Sequence, residues 1–237
     1  MYETILKDIL FLGNPDKAQS KAKYFKNGKG EYGEGDVFVG LTNPETHQIS
    51  KHYKNLATFD DLQKLIENQI HEVRFVALTI LVLQIKKAKT ENEIERFVEF
   101  YFKNLKYVNN WDLVDCSCMH ILGPYFYEKT DKSKLYKLAK SGDLWSERIS
   151  IITTFYFIRK GNFTDTFKIS DILIHHKHDL IHKATGWMLR EVWQKGGKEK
   201  VEFYIRENIK IMPRTMLRYA IEKMEEMERK SFLNLGK

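Results

Sequence analysis

The chain has 237 residues, enough to bury a sizeable core as one domain or one quasi-linear array. Its 43% hydrophobic and 30% charged residues exclude a disordered polypeptide. Its longest greasy stretch, Val76 to Ile85, contains Thr79 and Gln84 and is far too short to span a bilayer. A net charge of +7 and a pI of about 9.1 favour a polyanionic partner, either nucleic acid or an anionic membrane surface.

In chain order, the amino-terminal segment sets Glu3, Lys7 and Asp8 among its apolar residues, unlike a secretory signal. Gly28-Lys29-Gly30-Glu31-Tyr32-Gly33 has the spacing of a nucleotide-binding glycine loop. That motif needs a strand before it and a helix N-terminus after it to receive the phosphate. Here a helix precedes and another glycine follows, so a flexible surface loop is expected. Asp36-Val37-Phe38-Val39-Gly40 is the only short β-like run and reads as an extended lead-in to the helix after Pro44.

Beyond it the helical period dominates. Val73 to Leu81 is apolar at most positions, as in an inner helix touched on several sides. Corresponding helices are predicted at 110–122, 143–159, 179–195 and 213–227. Amphipathic partners lie between them, such as Glu91 to Leu105, where Ile94, Phe97, Val98, Tyr101 and Phe102 recur at steps of three and four. Asp143 precedes one inner helix, Pro213 suits the first turn of another, and Gly161 and Gly196-Gly197 close two of them. Residues 230–237 read as a frayed tail, and no boundary interrupts 1–237 as a single domain. Cys116 and Cys118, two apart on a helix, do not face each other and should not bridge. Reduced thiols without a signal sequence point to the cytoplasm.

A fixed spacing runs through the inner helices. Arg74, Trp111, Arg148, Lys183 and Arg218 follow one another at gaps of 37, 37, 35 and 35, and four residues further on stand Leu78, Asp115, Ile152, Trp187 and Glu222. Such a period predicts an all-α fold, a right-handed solenoid of about six helical pairs with a concave face. Arg148, Lys183, Arg190, Arg214 and Arg218 recur near one phase, and stacking would turn them into a basic stripe suited to duplex phosphates.

Asp115 falls where its repeat counterparts Leu78, Ile152 and Trp187 are apolar. Burying a carboxylate alone costs several kcal/mol, so it must be paired or open to a cavity. Two readings stay open: an ion pair with Arg148 or Arg74 that ties repeats together, or a site shared with a tryptophan. Trp145 is expected in the core and Trp193 at a helix edge. Trp111, beside Asp112 and Asp115, and Trp187, one turn before Arg190, each stand near polar groups that a core would not choose. His175, His176, His178 and His182 have no acidic or thiol partner at ligand spacing, so a hydrated turn is expected rather than a metal site.

At these residues the chain resembles the DNA alkylation repair family, the AlkD-like DNA glycosylases, from about Tyr24 to the helix containing Arg218. The motifs are Gly40-Leu41-Thr42-Asn43-Pro44, Trp111-Asp112-Leu113-Val114-Asp115, Leu144-Trp145-Ser146-Glu147-Arg148, Lys183 to Glu191 and Met212 to Ala220, in that order. The resemblance implies HEAT-like repeats whose concave basic surface wraps duplex DNA. It implies a catalytic cluster of Trp111, Trp187 and Asp115, a backbone contact at Arg148, and a cleft-lining tyrosine at Tyr24. It also implies release of N3- and N7-alkylated purines such as 3-methyladenine and 7-methylguanine, leaving an abasic site. No metal, cofactor or membrane is implied, and a monomer is expected. Thr42 stands where a characterised relative has a polar amide near the lesion, so the resemblance leaves the lesion preference open rather than the chemistry. No lysine is placed beside Asp115, so no lyase step is expected. The competing readings are a non-catalytic binder of branched or distorted DNA and a protein-interaction scaffold.

Overall fold

The structure, a computed structural model, describes residues 1–235. It is all-α, with fourteen α-helices, a 3-10 turn at Leu105–Tyr107, and no strand among the described residues. The chain divides into two compact units, Met1–Ser117 and Cys118–Lys237.

The first unit contains α1 (Tyr2–Phe11), α2 (Pro15–Tyr24), α3 (Asn43–Tyr53), α4 (Phe59–Ile66), α5 (His71–Ile85), α6 (Glu91–Lys103) and the opening turns of α7 (Trp111–Glu128). α5 is the inner helix, packed against α1, α3, α4 and α6. Its residues from His71 to Val82 are all buried, which explains why the sequence there shows no polar face. Thr42, Thr58 and Thr90 begin α3, α4 and α6 with capping boxes closed by Glu45, Asp61 and Glu93. Each satisfies backbone donors that the helix itself leaves open, worth about 1 kcal/mol.

The Asp36–Gly40 run is the extended lead-in that its sequence predicts. Its one ladder contact is a parallel bridge between Val37 and Ile70, where the His71 amide donates to the Val37 carbonyl at 2.8 Å. Buried Glu72 holds the run down, accepting from the Gly40 amide at 3.0 Å and the Val39 amide at 3.2 Å. Gly40 has φ +88°, and a Cβ there would lie 2.1 Å from the Asn14 carbonyl, so only glycine fits.

The second unit holds the rest of α7, then α8 (Ser133–Ala139), α9 (Leu144–Arg159), α10 (Thr164–Leu173), α11 (Asp179–Gln194), α12 (Lys198–Asn208), α13 (Arg214–Ala220) and α14 (Glu226–Leu235). α9, α11 and α13 pack in succession, while α8, α10 and α12 flank them. This is the stacking that the 35-residue spacing predicts, each helix pair burying its apolar side on the next. Asp143 caps α9 by accepting the Ser146 amide at 2.8 Å, and Gly161 and Gly196 leave their helices at φ +79° and +101°.

Three expectations change. The helix predicted over 213–227 stops at Ala220, and a separate α14 begins at Glu226. The tail expected to fray is helical through Leu235, because Phe232 is buried under the Arg206 guanidinium, 4.9 Å from its ring centre, while residues 236–237 lie outside the described residues. Trp145 is half-buried rather than in the core.

Candidate functional site

In the first unit, Asn110 fastens the start of α7. Its Oδ1 accepts the Trp111 amide at 2.9 Å, and its Nδ2 donates to Asp36 Oδ2 at 3.0 Å. Phe25, just past the end of α2, stacks on the Trp111 indole with centroids 5.1 Å apart and planes 17° apart. Tyr24, 66% exposed, meets the same indole edge-on at 5.9 Å. The structure therefore brings together the expected Tyr24 and Trp111. Asp115, half-buried, follows Trp111 by one turn along α7.

Behind Trp111 lies a set of buried charges that the sequence alone does not assemble. His71 Nδ1 lies 3.0 Å from Asp36 Oδ2, and its Nε2 lies 2.8 Å from Asp112 Oδ2. Arg74 Nη2 donates to Asp36 Oδ1, and its Nη1 donates to the carbonyls of Asn68 and Gln69 at 2.9 and 3.0 Å. Burial raises the Asp36 pKa, but hydrogen bonds from His71 and Asn110 and the charge of Arg74 outweigh it and hold the carboxyl below its ordinary range. For His71 burial works downward, and its bonds to Asp112 and Asp36 win, leaving the imidazole above its ordinary value. Arg74 is thus committed to Asp36, and the pairing with Asp115 considered for it is not the one it makes.

In the second unit, Trp187 sits on α11 after Gly186, where α11 and α13 approach so closely that a Cβ would lie 2.4 Å from the Met216 carbonyl. The indole Nε1 donates to Glu191 Oε1 at 2.9 Å, and Phe155 of α9 lies 6.0 Å from the ring. Arg190, expected on a phosphate stripe, donates to Glu222 and lies 3.3 Å from Glu191, with only 18% of its side chain exposed. Arg148 is 5% exposed and donates to the Leu180 carbonyl at 2.7 Å, joining α9 to the start of α11. Lys183 is 39% exposed and pairs with Asp179 at 2.6 Å. Arg214 and Arg218 are exposed, the former also donating to the Leu233 carbonyl at 3.1 Å. The five basic residues thus share a phase but not an environment. Thr42, expected near a lesion, serves as the α3 cap, its hydroxyl donating to Glu45 Oε2 at 2.7 Å.

The histidine-rich turn braces the start of α11. His178 Nδ1 accepts the Leu180 amide at 3.1 Å, a bond that requires that nitrogen unprotonated, and burial lowers its pKa accordingly. His176 Nε2 lies 2.8 Å from Glu147 Oε2. Among the described residues, no three His, Cys, Asp or Glu side chains group to hold a metal, and no helix is long and apolar enough to cross a membrane.

A helical-repeat protein of basic charge, with a tryptophan and a carboxylate one turn apart on α7 and an anchored tryptophan on α11, is the class these features define. The family of DNA alkylation repair enzymes matches residues 5–224, and the chain belongs to it, which supports a role in alkylation repair. The fold is similar to that of a solved structure described as a predicted DNA alkylation repair enzyme from Enterococcus faecalis. The TM-score is 0.67 and the identity 18%, over 90% of this chain and 97% of that one, so the likeness is one of fold. No curated protein matches the sequence.

Proposed function

We propose that the protein is a monofunctional DNA glycosylase. It hydrolyses the N-glycosidic bond of cationic N3- and N7-alkylated purines in duplex DNA, 3-methyladenine and 7-methylguanine among them, and leaves an abasic site. The observation that supports this most is the Trp111–Asp115 turn, with Tyr24 against the indole, in a chain whose family match runs over residues 5–224.

Alkylation at purine N3 or N7 places positive charge on the ring, so the base already leaves well and needs little general-acid help. As the bond breaks, charge moves to the deoxyribose. A carboxylate at Asp115 stabilises that oxocarbenium-like state more than the ground state and orients the attacking water. The faces of Trp111 and Trp187 are suited to a cationic nucleoside, each worth roughly 0.5–2 kcal/mol when desolvated. Lys183, Arg214 and Arg218, which reach solvent, are assigned to phosphates. Arg148 and Arg190, held by protein groups, are assigned to bracing α9 and α11 beside the DNA. HEAT-like repeats, action as a monomer and a cytoplasmic location complete the reading.

The test is release of free base from duplexes carrying 7-methylguanine or 3-methyladenine. Asp115→Asn is expected to lower release at least about 100-fold, the scale of a lost transition-state electrostatic contact, with DNA affinity held within about threefold. Equal release by that variant would remove Asp115 from its role. Tight binding to branched DNA with no release from any alkylated duplex would favour a non-catalytic DNA binder instead.

A further inference from the structure

We infer that His71 is a positioning residue for the base-release reaction: by bridging Asp36 and Asp112 it fixes the first turn of α7, and with it the Trp111 indole and the aim of Asp115. This rests on the function proposed above, and nothing in the Tyr24, Trp111 and Asp115 arrangement by itself requires it.

The geometry sets the state of the ring. Each imidazole nitrogen faces a carboxylate oxygen, Nδ1 at 3.0 Å and Nε2 at 2.8 Å, and ionised carboxylates only accept hydrogen bonds. Both nitrogens therefore donate, and His71 is an imidazolium. With Asp36 and Asp112 negative and Arg74 and His71 positive, the cluster balances to zero charge. A neutral imidazole would leave one uncompensated buried negative charge, which low-dielectric surroundings penalise heavily. His71 is 1% exposed, so it cannot touch DNA and acts only through its neighbours.

Those neighbours are the handles of α7. Asn110 and Asp112 flank Trp111 in sequence, and both tie back to the same pair: Asn110 Nδ2 to Asp36 Oδ2 at 3.0 Å, and Asp112 Oδ2 to His71 Nε2 at 2.8 Å. Two anchors on either side of one residue stop the first turn from rotating about the helix axis, and Asp115 is carried by the turn that follows. A second path runs through rings. His71 packs on Phe38 at 4.8 Å and Phe25 at 4.9 Å, and Phe25 stacks on Trp111 at 5.1 Å. The charged groups facing His71 are Asp36 from the extended lead-in, Arg74 from its own helix and Asp112 from α7. The adjacent Glu72 turns instead to the Val39 and Gly40 amides and to Lys21.

The experiment compares the intact wild-type chain with His71→Gln and Asp112→Ala in two measurements. The first is single-turnover release of 7-methylguanine from duplex DNA at saturating enzyme, with affinity measured separately. The second is the NMR of the His71 imidazole and Trp111 indole N–H groups across a pH series, which requires no turnover. In the wild type, His71 should carry two ring N–H protons at neutral pH, and the Trp111 resonance should shift with the loss of one of them. His71→Gln should lower the release step by about tenfold or more while affinity changes less than about threefold, since the loss concerns aim and not contact. A wild-type release rate in His71→Gln, or a Trp111 resonance indifferent to the His71 titration, overturns the assignment. Should His71→Gln fail to fold, Asp112→Ala, on the half-buried edge of the cluster and with no acceptor left for His71 Nε2, takes its place in both measurements, and a wild-type release rate there overturns the assignment equally. If the wild type releases no base, the glycosylase reading fails, and the Trp111 response to His71 still decides the positioning by itself.

Discussion

The indole Nε1 of Trp187 donates to the carboxylate of Glu191 at 2.9 Å, one turn further along α11. A hydrogen bond to a charged acceptor is worth about 1.5–3 kcal/mol, enough to hold a half-buried indole in one rotamer. Arg190 stands beside the same carboxylate at 3.3 Å and reaches Glu222 beyond α13, so the orientation of Trp187 is set by a bracket of three charged residues.

Removing that bond should release the ring. Glu191→Ala is expected to slow base release by about tenfold, the equivalent of about 1.4 kcal/mol of barrier, while Glu191→Gln keeps most of the rate because its amide oxygen still accepts. Single-turnover rates for the three proteins decide the matter, and identical values would show that the Trp187 orientation is irrelevant to the chemistry.

Gly186 is needed for packing. A Cβ there would lie 2.4 Å from the Met216 carbonyl and 2.6 Å from Tyr219 Cβ, and backbone on a neighbouring helix cannot easily give way. Gly186→Ala should destabilise by roughly 1–3 kcal/mol despite its better helix propensity. A thermal midpoint unchanged from wild type would mean that α11 and α13 separate at little cost.

The buried charges give stability a pH window. His71 titrates above its ordinary value of 6.5 in the folded chain, so its contribution is complete below that value and declines as pH rises through the folded pKa. Asp36 titrates below its ordinary 3.8, so its contribution is present above that value and declines as pH falls through the folded pKa. Stability from this cluster should therefore be greatest between about pH 4 and 6.5. His71→Gln should flatten the decline on the alkaline side and weaken the acid limb without abolishing it, since Arg74 and Asn110 still hold Asp36 down. Denaturant titrations at several pH values measure both limbs, and an unchanged alkaline limb in the variant would contradict the assignment.

Exposed and enclosed arginines should separate in DNA binding. Arg218→Ala is expected to weaken affinity several-fold and to reduce the slope of log affinity against log salt by about one, as for the loss of one phosphate contact. Arg74→Ala, 4% exposed and bonded to Asp36, should instead lower thermal stability with the salt slope retained. Anisotropy titrations at several salt concentrations would show it, and an unchanged slope in Arg218→Ala would take that residue off the DNA.

By itself the sequence determined what is local or periodic. The all-α class, the cap at Asp143, the closing glycines at 161 and 196, and the phase that makes Asp115 and Trp187 equivalent are read from neighbours three, four or about 35 residues away, because helix geometry and repeat stacking enforce those intervals. What the tertiary structure alone decided is which charges meet. Asp36 lies on the extended lead-in and His71 at the start of α5, so their contact joins no equivalent positions of the repeat, and His71 meets Asp112 across 41 residues. Arg74, Arg148 and Arg218 look alike in the repeat register, yet two are buried on specific acceptors and one faces solvent. A period fixes the direction in which a side chain points, whereas the partner it finds depends on the loop or helix folded against it, and that pairing determines whether a charge is left to solvent or held by the protein.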